Sequence, residues 1–273
     1  AALKLAAERG VGVAVTDHNL IASLVRIKDR NTGVPVVPGM EISTSDGPHI
    51  LAYFYEMDDL ERFWYHRIRP RLQDCPWLAL RNCSTAKLLD LLDAENCVVS
   101  AAHPMGYLMS NKGVEVCIRK GYLDESVASR LDAYEVICSG MTHESNLQAL
   151  ESARRYGIGF TGGTDGHTLS EIGNVVTVSN ATDVQSFLDD VVARRVDVIG
   201  LEKTMPKKVR MASASLSKFM MHSPSAIKVQ TNQAVMSADR SARKAAITVK
   251  EKTSELIETA SDIEARLREI GRR

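Results

Sequence analysis

The sequence predicts an α/β fold followed by a helical C-terminal extension. Three observations carry this. Short β-branched runs alternate with helical stretches through the first two hundred residues, a polar motif follows several of those runs, and the pattern changes after Gly200. The elements read in order as follows. A helix over residues 1–10 leads into the apolar run 11–15, with Gly10 and Gly12 at the join. A helix over 20–28 and strands at 34–37 and 49–55 come next, then a polar and aromatic stretch over 58–80. A helix over 84–94 precedes a strand at 97–102. Strands at 134–138, 158–161, 175–178 and 196–199, with helices at 144–156 and 184–194, complete a body over residues 1–202. Strands separated by helices call for a parallel sheet or barrel. No internal repeat is visible.

Residues 203–273 differ in kind. The body holds 19 basic and 27 acidic residues, a net of −8, and the remainder holds 15 basic and 7 acidic, a net of +8. Residues 203–232 are basic and rich in Ser and Met without clean periodicity, so an irregular cover or linker is expected. From Ala242 the spacing 242, 246, 249, 253, 256, 260, 263, 267, 270 alternates four and three, an a/d heptad pattern. A long helix is expected there, with its seam either packed back on the chain or paired with a second copy as a homodimer.

At 273 residues and 44% hydrophobic the chain can build a real core, which excludes disorder and a disulfide-stapled miniprotein. Balanced totals of 34 basic and 34 acidic residues exclude a globally basic nucleic-acid binder. Five cysteines, an odd number without a CxxC pair, suit reduced thiols and a cytoplasmic location. No apolar run reaches the roughly 20 residues of a membrane helix, so no membrane partner is expected. AALKLAAERG carries charge where a secretory segment would be apolar, and it opens within an amphipathic helix, so the natural start is expected upstream.

The polar motifs point to chemistry. Thr16-Asp17-His18-Asn19 follows the first run, and Pro38-Gly39-Met40-Glu41 follows the second, with His49 eight residues on. His103-Pro104 follows the run 97–102, and Gly162-Gly163-Thr164-Asp165-Gly166-His167 follows 158–161. In a β/α barrel the C-terminal strand ends converge on one face. His18, Glu41, His49, His103, Asp165 and His167 would therefore share one mouth. Imidazole and carboxylate ligands suit Zn, Mn or Fe, and a carboxylate such as Glu41 can bridge two ions. Each motif has a plainer reading: Asp17 as a helix cap, Glu41 as a surface pair, Gly162-Gly163 as a turn. Four such coincidences together are harder to dismiss.

These residues resemble the PHP family, named for polymerase and histidinol phosphatase domains. The matches are AxxxGVxxxxTDHN ending at Asn19, PGMEIST with the downstream His49, AAHP around His103, and GGTDGH ending at His167, with Glu135-Val136 as a further counterpart. The resemblance covers about residues 1–200. It implies a distorted seven-stranded (β/α) barrel with two or three divalent metal ions, here lacking its first strand because the family's opening His-x-His motif is absent. It also implies that Glu41 bridges two ions, that His49 and His103 complete the second site and Asp165 the first, and that His18 and His167 serve a third. Asp17 would handle protons or support the ligands, giving Asp17, His18 and His167 catalytic roles.

Of the remaining histidines, His66 is expected to pack within its aromatic segment, His143 to cap or lie on the surface, and His222 to be unrelated. Lys112, Arg119 and Lys120 are candidate phosphate-reading cations, with a solvated face the simpler reading of each. The expected function is a metal-dependent phosphoesterase using a metal-activated water on a phosphorylated small molecule or nucleotide. The alternatives are a non-catalytic metal-binding or assembly module, and a nuclease acting on nucleic-acid ends through the basic tail, although Phe219 is that tail's lone aromatic.

Overall fold

The computed structural model describes residues 1–107, 111–204, 208 and 223–270. It is an α/β fold of the expected class, built on a curled six-stranded sheet in the order β1 to β6, with a separate two-stranded pair, β7–β8. The strands are β1 (Val13–Val15), β2 (Val36–Ser43), β3 (His49–Phe54), β4 (Cys97–Ala101), β5 (Ala133–Cys138), β6 (Gly159–Gly163), β7 (Val175–Val178) and β8 (Asp197–Gly200). The helices are α1 (Ala2–Glu8), α2 (Ala22–Val25), α3 (Met57–Phe63), α4 (Thr85–Leu92), α5 (Val114–Arg119), α6 (His143–Tyr156), α7 (Val184–Val192) and α8 (Ser223–Ile270).

The sheet is mixed where the sequence suggested parallel. β1–β2, β4–β5 and β5–β6 are parallel, but β3 is antiparallel to both β2 and β4. The reason is the link 44–48, which is too short for a crossover and long enough only for a hairpin. Its tip is Gly47 at φ +121, where a Cβ would stand 2.5 Å from the Asn111 carbonyl oxygen.

β2 also runs further than expected, through Pro38 and Gly39. Its pairing with β1 ends at Pro38 and its pairing with β3 begins at Gly39, so the missing proline N–H falls at the changeover. Gly39 is pressed between Thr16 and the Ala52 carbonyl, leaving no slack for a side chain. Gly162 and Gly163, which read as a turn, are the last residues of β6 for a similar reason. A Cβ on Gly162 would meet Val198 at 2.2 Å, and one on Gly163 would meet Glu135 at 2.4 Å.

Helix limits follow side-chain caps. Ser84 accepts from the Lys87 amide at the head of α4, Thr142 from Ser145 at α6, and Asp183 from Ser186 at α7. α6 stops at Gly157, at φ +67. α2 is shorter than the expected 20–28, and α5 was not foreseen. The stretch 58–80 is partly helical: α3 continues as a π-helical turn at Trp64–Ile68 and a 3₁₀ turn at Arg69–Arg71. The main core gathers Met40, Ile42, Ile50, Phe54, Phe63, Leu88, Leu89, Leu92 and Tyr134, and a second cluster seats α7 through Leu188 and Val191 on Val37, Val98 and Ala133.

The chain divides into two compact units, residues 1–233 and 234–273. The first turns of α8 belong to the first unit: Ala226 is buried against Cys75 and Leu78, and Ser225 donates to Asp74 at 2.6 Å. Helix thus begins at Ser223, inside the stretch 203–232 expected to be irregular; of that stretch, residues 205–207 and 209–222, with Phe219 and His222, lie outside the described residues. The second unit is helical over 234–270, as the heptad spacing requires, with Val249 and Ile257 exposed. The side chains at seam positions 256, 260, 263, 267 and 270 lie outside the described residues. Among the described residues no helix is long and apolar enough to cross a membrane.

Candidate metal centre

Glu41 lies within β2 rather than after a strand, one bridge from His18, which continues the line of β1. His49 opens β3 opposite Ser43, and His103 follows β4 at φ +29. Three imidazoles from three strands therefore converge on one carboxylate. His49 Nδ1 is 2.7 Å from Glu41 Oε1, His103 Nε2 is 3.3 Å from the same oxygen, and His18 Nε2 is 3.6 Å from Oε2. Glu41, His49 and His103 are buried.

Burial alone would push the Glu41 carboxyl up, but His18, His103 and His49 outweigh it and hold it well below the usual carboxylate range. Burial drives His49 down to about 3 against the pull of Glu41, so at neutral pH it is a neutral imidazole donating Nδ1–H to a carboxylate. Burial also lowers His18. His103 goes the other way: burial depresses it, but Glu41, Asp165 and Glu135 together raise it. Glu135 accepts the His103 amide at 2.8 Å, and its own carboxyl is lifted by burial to about 7.

This donor set fits a metal ion. Two donors each about 2.1 Å from one ion stand about 3.0–3.5 Å apart, close to the separations found here. His18 Nδ1 and His103 Nδ1 are buried without a hydrogen-bond partner, as is Ser43 Oγ. One ligand atom each from His18, Glu41 and His49 falls within 4.8 Å of the others.

Asp165 and His167 stand on the turn after β6. The Asp165 backbone is at φ +43, a left-handed conformation costing roughly 1–2 kcal/mol in a non-glycine residue. Its carboxylate accepts from the Tyr107 hydroxyl, and Oδ1 is 3.8 Å from His167 Nδ1. Burial and Glu41 push the Asp165 carboxyl up, and His103, His167 and Tyr107 more than offset them, leaving it lowered. The His103 ring lies 4.9 Å from Tyr107. Asp165 thus shares the field of the Glu41 cluster without a hydrogen bond to it. The Asp17 carboxylate accepts the Ser23 amide at 3.2 Å, in the first turn of α2, whose N-cap is Ile21.

Three residues of this region had no assigned part in the sequence reading. Asn19, buried at φ +53, donates to the carbonyls of Pro76 and Leu78 and accepts from the Ser43 amide. It thereby straps the 76–78 loop over the cluster. Trp77 on that loop lies 4.5 Å from the His18 ring and 5.4 Å from the His167 ring. Lys203 reaches the Asp165 carbonyl at 2.8 Å. A positive φ suits Asn, which hints at Asn19, but neither Trp77 nor Lys203 carries a local signal.

Among the candidate cations, Lys112 faces the cluster: burial lowers its pKa, opposed by Glu41 and Asp165. Arg119 joins a separate network with Glu115, Gln148 and Ser152, and Lys120 bonds Asn111. His143 lies on the surface beside Glu202. His66 is exposed, edge-on to Tyr65, rather than packed; the π-helical turn faces it outward.

Comparison with known proteins gives the fold a context. A PHP-associated family pattern matches residues 143–196. PsfC from Pseudomonas syringae PB-5123 is similar in structure, with TM-score 0.51 and 16% identity over 81% of this chain and 88% of that one. The lesion-specific endonuclease Q of Pyrococcus furiosus aligns with TM-score 0.55 and 12% identity over 74% of this chain. An endonuclease Q complex with duplex DNA bearing an abasic lesion matches equally, at TM-score 0.55 and 12% identity over 74% of this chain. This chain spans about half of either endonuclease chain, 53% and 54%. At these identities the likeness is one of fold. No curated protein matches the sequence.

Proposed function

We propose that this chain carries a PHP-family domain, in line with the family pattern over residues 143–196, and that its Glu41 cluster is the centre of a metal-dependent hydrolase acting on phosphate esters. The observation that carries the reading is the Glu41 carboxylate, buried and within 2.7–3.6 Å of imidazole nitrogens of His49, His103 and His18. Glu41, His49 and His103 would hold one divalent ion, with His18, Asp165 and His167 serving neighbouring positions, for two or three ions of Zn, Mn or Fe type. When bound, such ions supply Lewis acidity toward a phosphoryl oxygen and make a coordinated water acidic enough to react near neutral pH.

The chain's own residues do the rest. Burial keeps His49 neutral, so one ring nitrogen already carries a lone pair and could serve as a ligand without the proton loss an imidazolium would need. Glu135 fixes the His103 backbone through its amide, holding the ring against Glu41. Lys112, which feels the charges of Glu41 and Asp165, would meet the negative charge of a phosphoryl group. Trp77 covers His18 and His167 and limits access of bulk water. Asp17 secures α2 behind His18. The free thiols fit a reducing, cytoplasmic setting, and the exposed Val249 on the α8 seam suits pairing with a second copy.

Phosphate release from a monoester (p-nitrophenyl phosphate) and a diester (bis-p-nitrophenyl phosphate) tests the reading, with added Mn or Zn. Turnover of either that is lost in His103→Ala, with folding retained, is the expected outcome; diester preference would indicate the nuclease branch. Metal retention without turnover of any ester would favour a binding or assembly module.

A further inference from the structure

We infer that Lys203, which lies beyond the last strand, is a positioning residue that sets the Asp165–His167 turn for ligation; this rests on the metal-centre reading above. The turn has two points that need support: a left-handed Asp165, and a His167 ring whose hydrogen bond is to the carbonyl of that same residue. Lys203 and Glu171 secure both. The Lys203 ammonium donates to the Asp165 carbonyl at 2.8 Å and pairs with Glu171 Oε1 at 3.1 Å. Glu171 Oε2 accepts the amides of His167 at 2.8 Å and Thr168 at 3.0 Å. The Lys203 backbone is itself tied down, its amide donating to the Ser139 carbonyl after β5.

The same carbonyl decides the state of His167. A carbonyl oxygen only accepts, so the 3.0 Å contact calls for Nδ1–H as the donor, and of the two neutral tautomers it selects the one whose lone pair is on Nε2. Lys203 takes the second acceptor position of that oxygen. One buried ammonium and one buried carboxylate therefore fix the backbone of Asp165, the amide of His167 and, through the shared carbonyl, the ring orientation.

A purely structural role explains this pair poorly. Its side chains are 1% and 8% exposed, and a buried ion pair is weak evidence of stability because desolvation cancels much of the attraction. An apolar side chain in its place would serve packing as well. What it cannot do is hold two backbone groups and a carbonyl in register. Groups that orient ligands from behind typically change metal affinity by roughly 10–100-fold.

The test uses the whole chain, Lys203→Met, Glu171→Gln and the double variant, read two ways. In chelator-treated protein, imidazole ¹⁵N spectra should show His167 as the Nδ1–H tautomer in the wild type and as mixed tautomers in Lys203→Met. Titration with Mn or Zn, below the melting transition of every variant, should show affinity lowered by about 10–100-fold in each single variant, with the double no worse than either; thermal midpoints in chelator should fall in the single variants, which leave one buried charge unpaired. A His167 that keeps its tautomer, together with unchanged metal affinity in both single variants, overturns the inference. So does a loss of affinity wholly accounted for by unfolding; if Lys203→Met does not fold, Glu171→Gln gives the same two readings. A wild type that shows the expected tautomer and binds no metal would count against the metal centre, and the tautomer difference would still support positioning.

Discussion

The Nδ1 of His49 lies 2.7 Å from Oε1 of Glu41, at the point where β3 begins opposite Ser43. The contact joins a neutral imidazole to a carboxylate held ionised in a buried setting. Such a carboxylate is costly without partners, and Glu41 has ring nitrogens of His49 and His103 on one oxygen and that of His18 3.6 Å from the other. Replacing it with Gln keeps the shape and removes the charge. Glu41→Gln is expected to lose more than the roughly 100-fold in metal affinity that outer partners cost, measured by titration with Mn or Zn. Affinity within threefold of wild type would remove Glu41 from the centre.

Asn19 is a second point of leverage. Its side chain bonds the Pro76 and Leu78 carbonyls and the Ser43 amide, so Asn19→Ala leaves three backbone groups of the site without partners. The expected cost is about 3 kcal/mol in urea unfolding, allowing for partial rescue by water. Freed from its strap, Trp77 should also change its fluorescence. A variant as stable as wild type would show that the 76–78 loop holds itself.

Asp17 should behave as a support for α2. Asp17→Ala removes the acceptor for the Ser23 amide and is expected to cost about 1 kcal/mol. Metal binding should survive, since the carboxylate is engaged by the Ser23 amide. A metal-free but stable Asp17→Ala protein would restore Asp17 to the ligand machinery.

The Cys97 thiol gives a pH prediction. Burial first, then Asp132, Glu95 and Asp93, pushes its pKa up to about 12. A thiol raised above its ordinary value is protonated through the physiological range, so alkylation by iodoacetamide at pH 8 should be slower than for a free thiol by about three orders of magnitude. The rate should climb only as pH approaches 12. Rapid labelling at pH 8, located by peptide mass spectrometry, would contradict this.

Much of the site was legible because its chemistry sits in short local motifs. Asp-His-Asn after β1, Met-Glu within β2, His-Pro after β4 and Asp-Gly-His after β6 each carry polar residues beside an apolar run, and the fold brings His18 and His103 to Glu41 with Asp165 within reach of their charge. What the sequence concealed acts through the backbone or across long separations. Pro38-Gly39 read as a loop because nothing local reveals that one strand's pairing ends where another's begins. Gly162-Gly163 read as a turn because the side chains that exclude a Cβ, those of Val198 and Glu135, are distant in sequence. Lys203 is a lone lysine in a basic tail until the fold brings it beneath Asp165, 38 residues away. The antiparallel course of β3 was hidden too: with the strand read as ending at Val37, the link to His49 is 38–48 rather than the hairpin link 44–48.

The most direct test of a metal centre at Glu41 is elemental analysis by inductively coupled plasma mass spectrometry on protein purified without chelator or affinity tag. One or more equivalents of Zn, Mn or Fe, lost in both Glu41→Ala and His103→Ala while circular dichroism stays native, is the expected result. Metal-free wild-type protein that also fails to take up Mn or Zn on dialysis would contradict it.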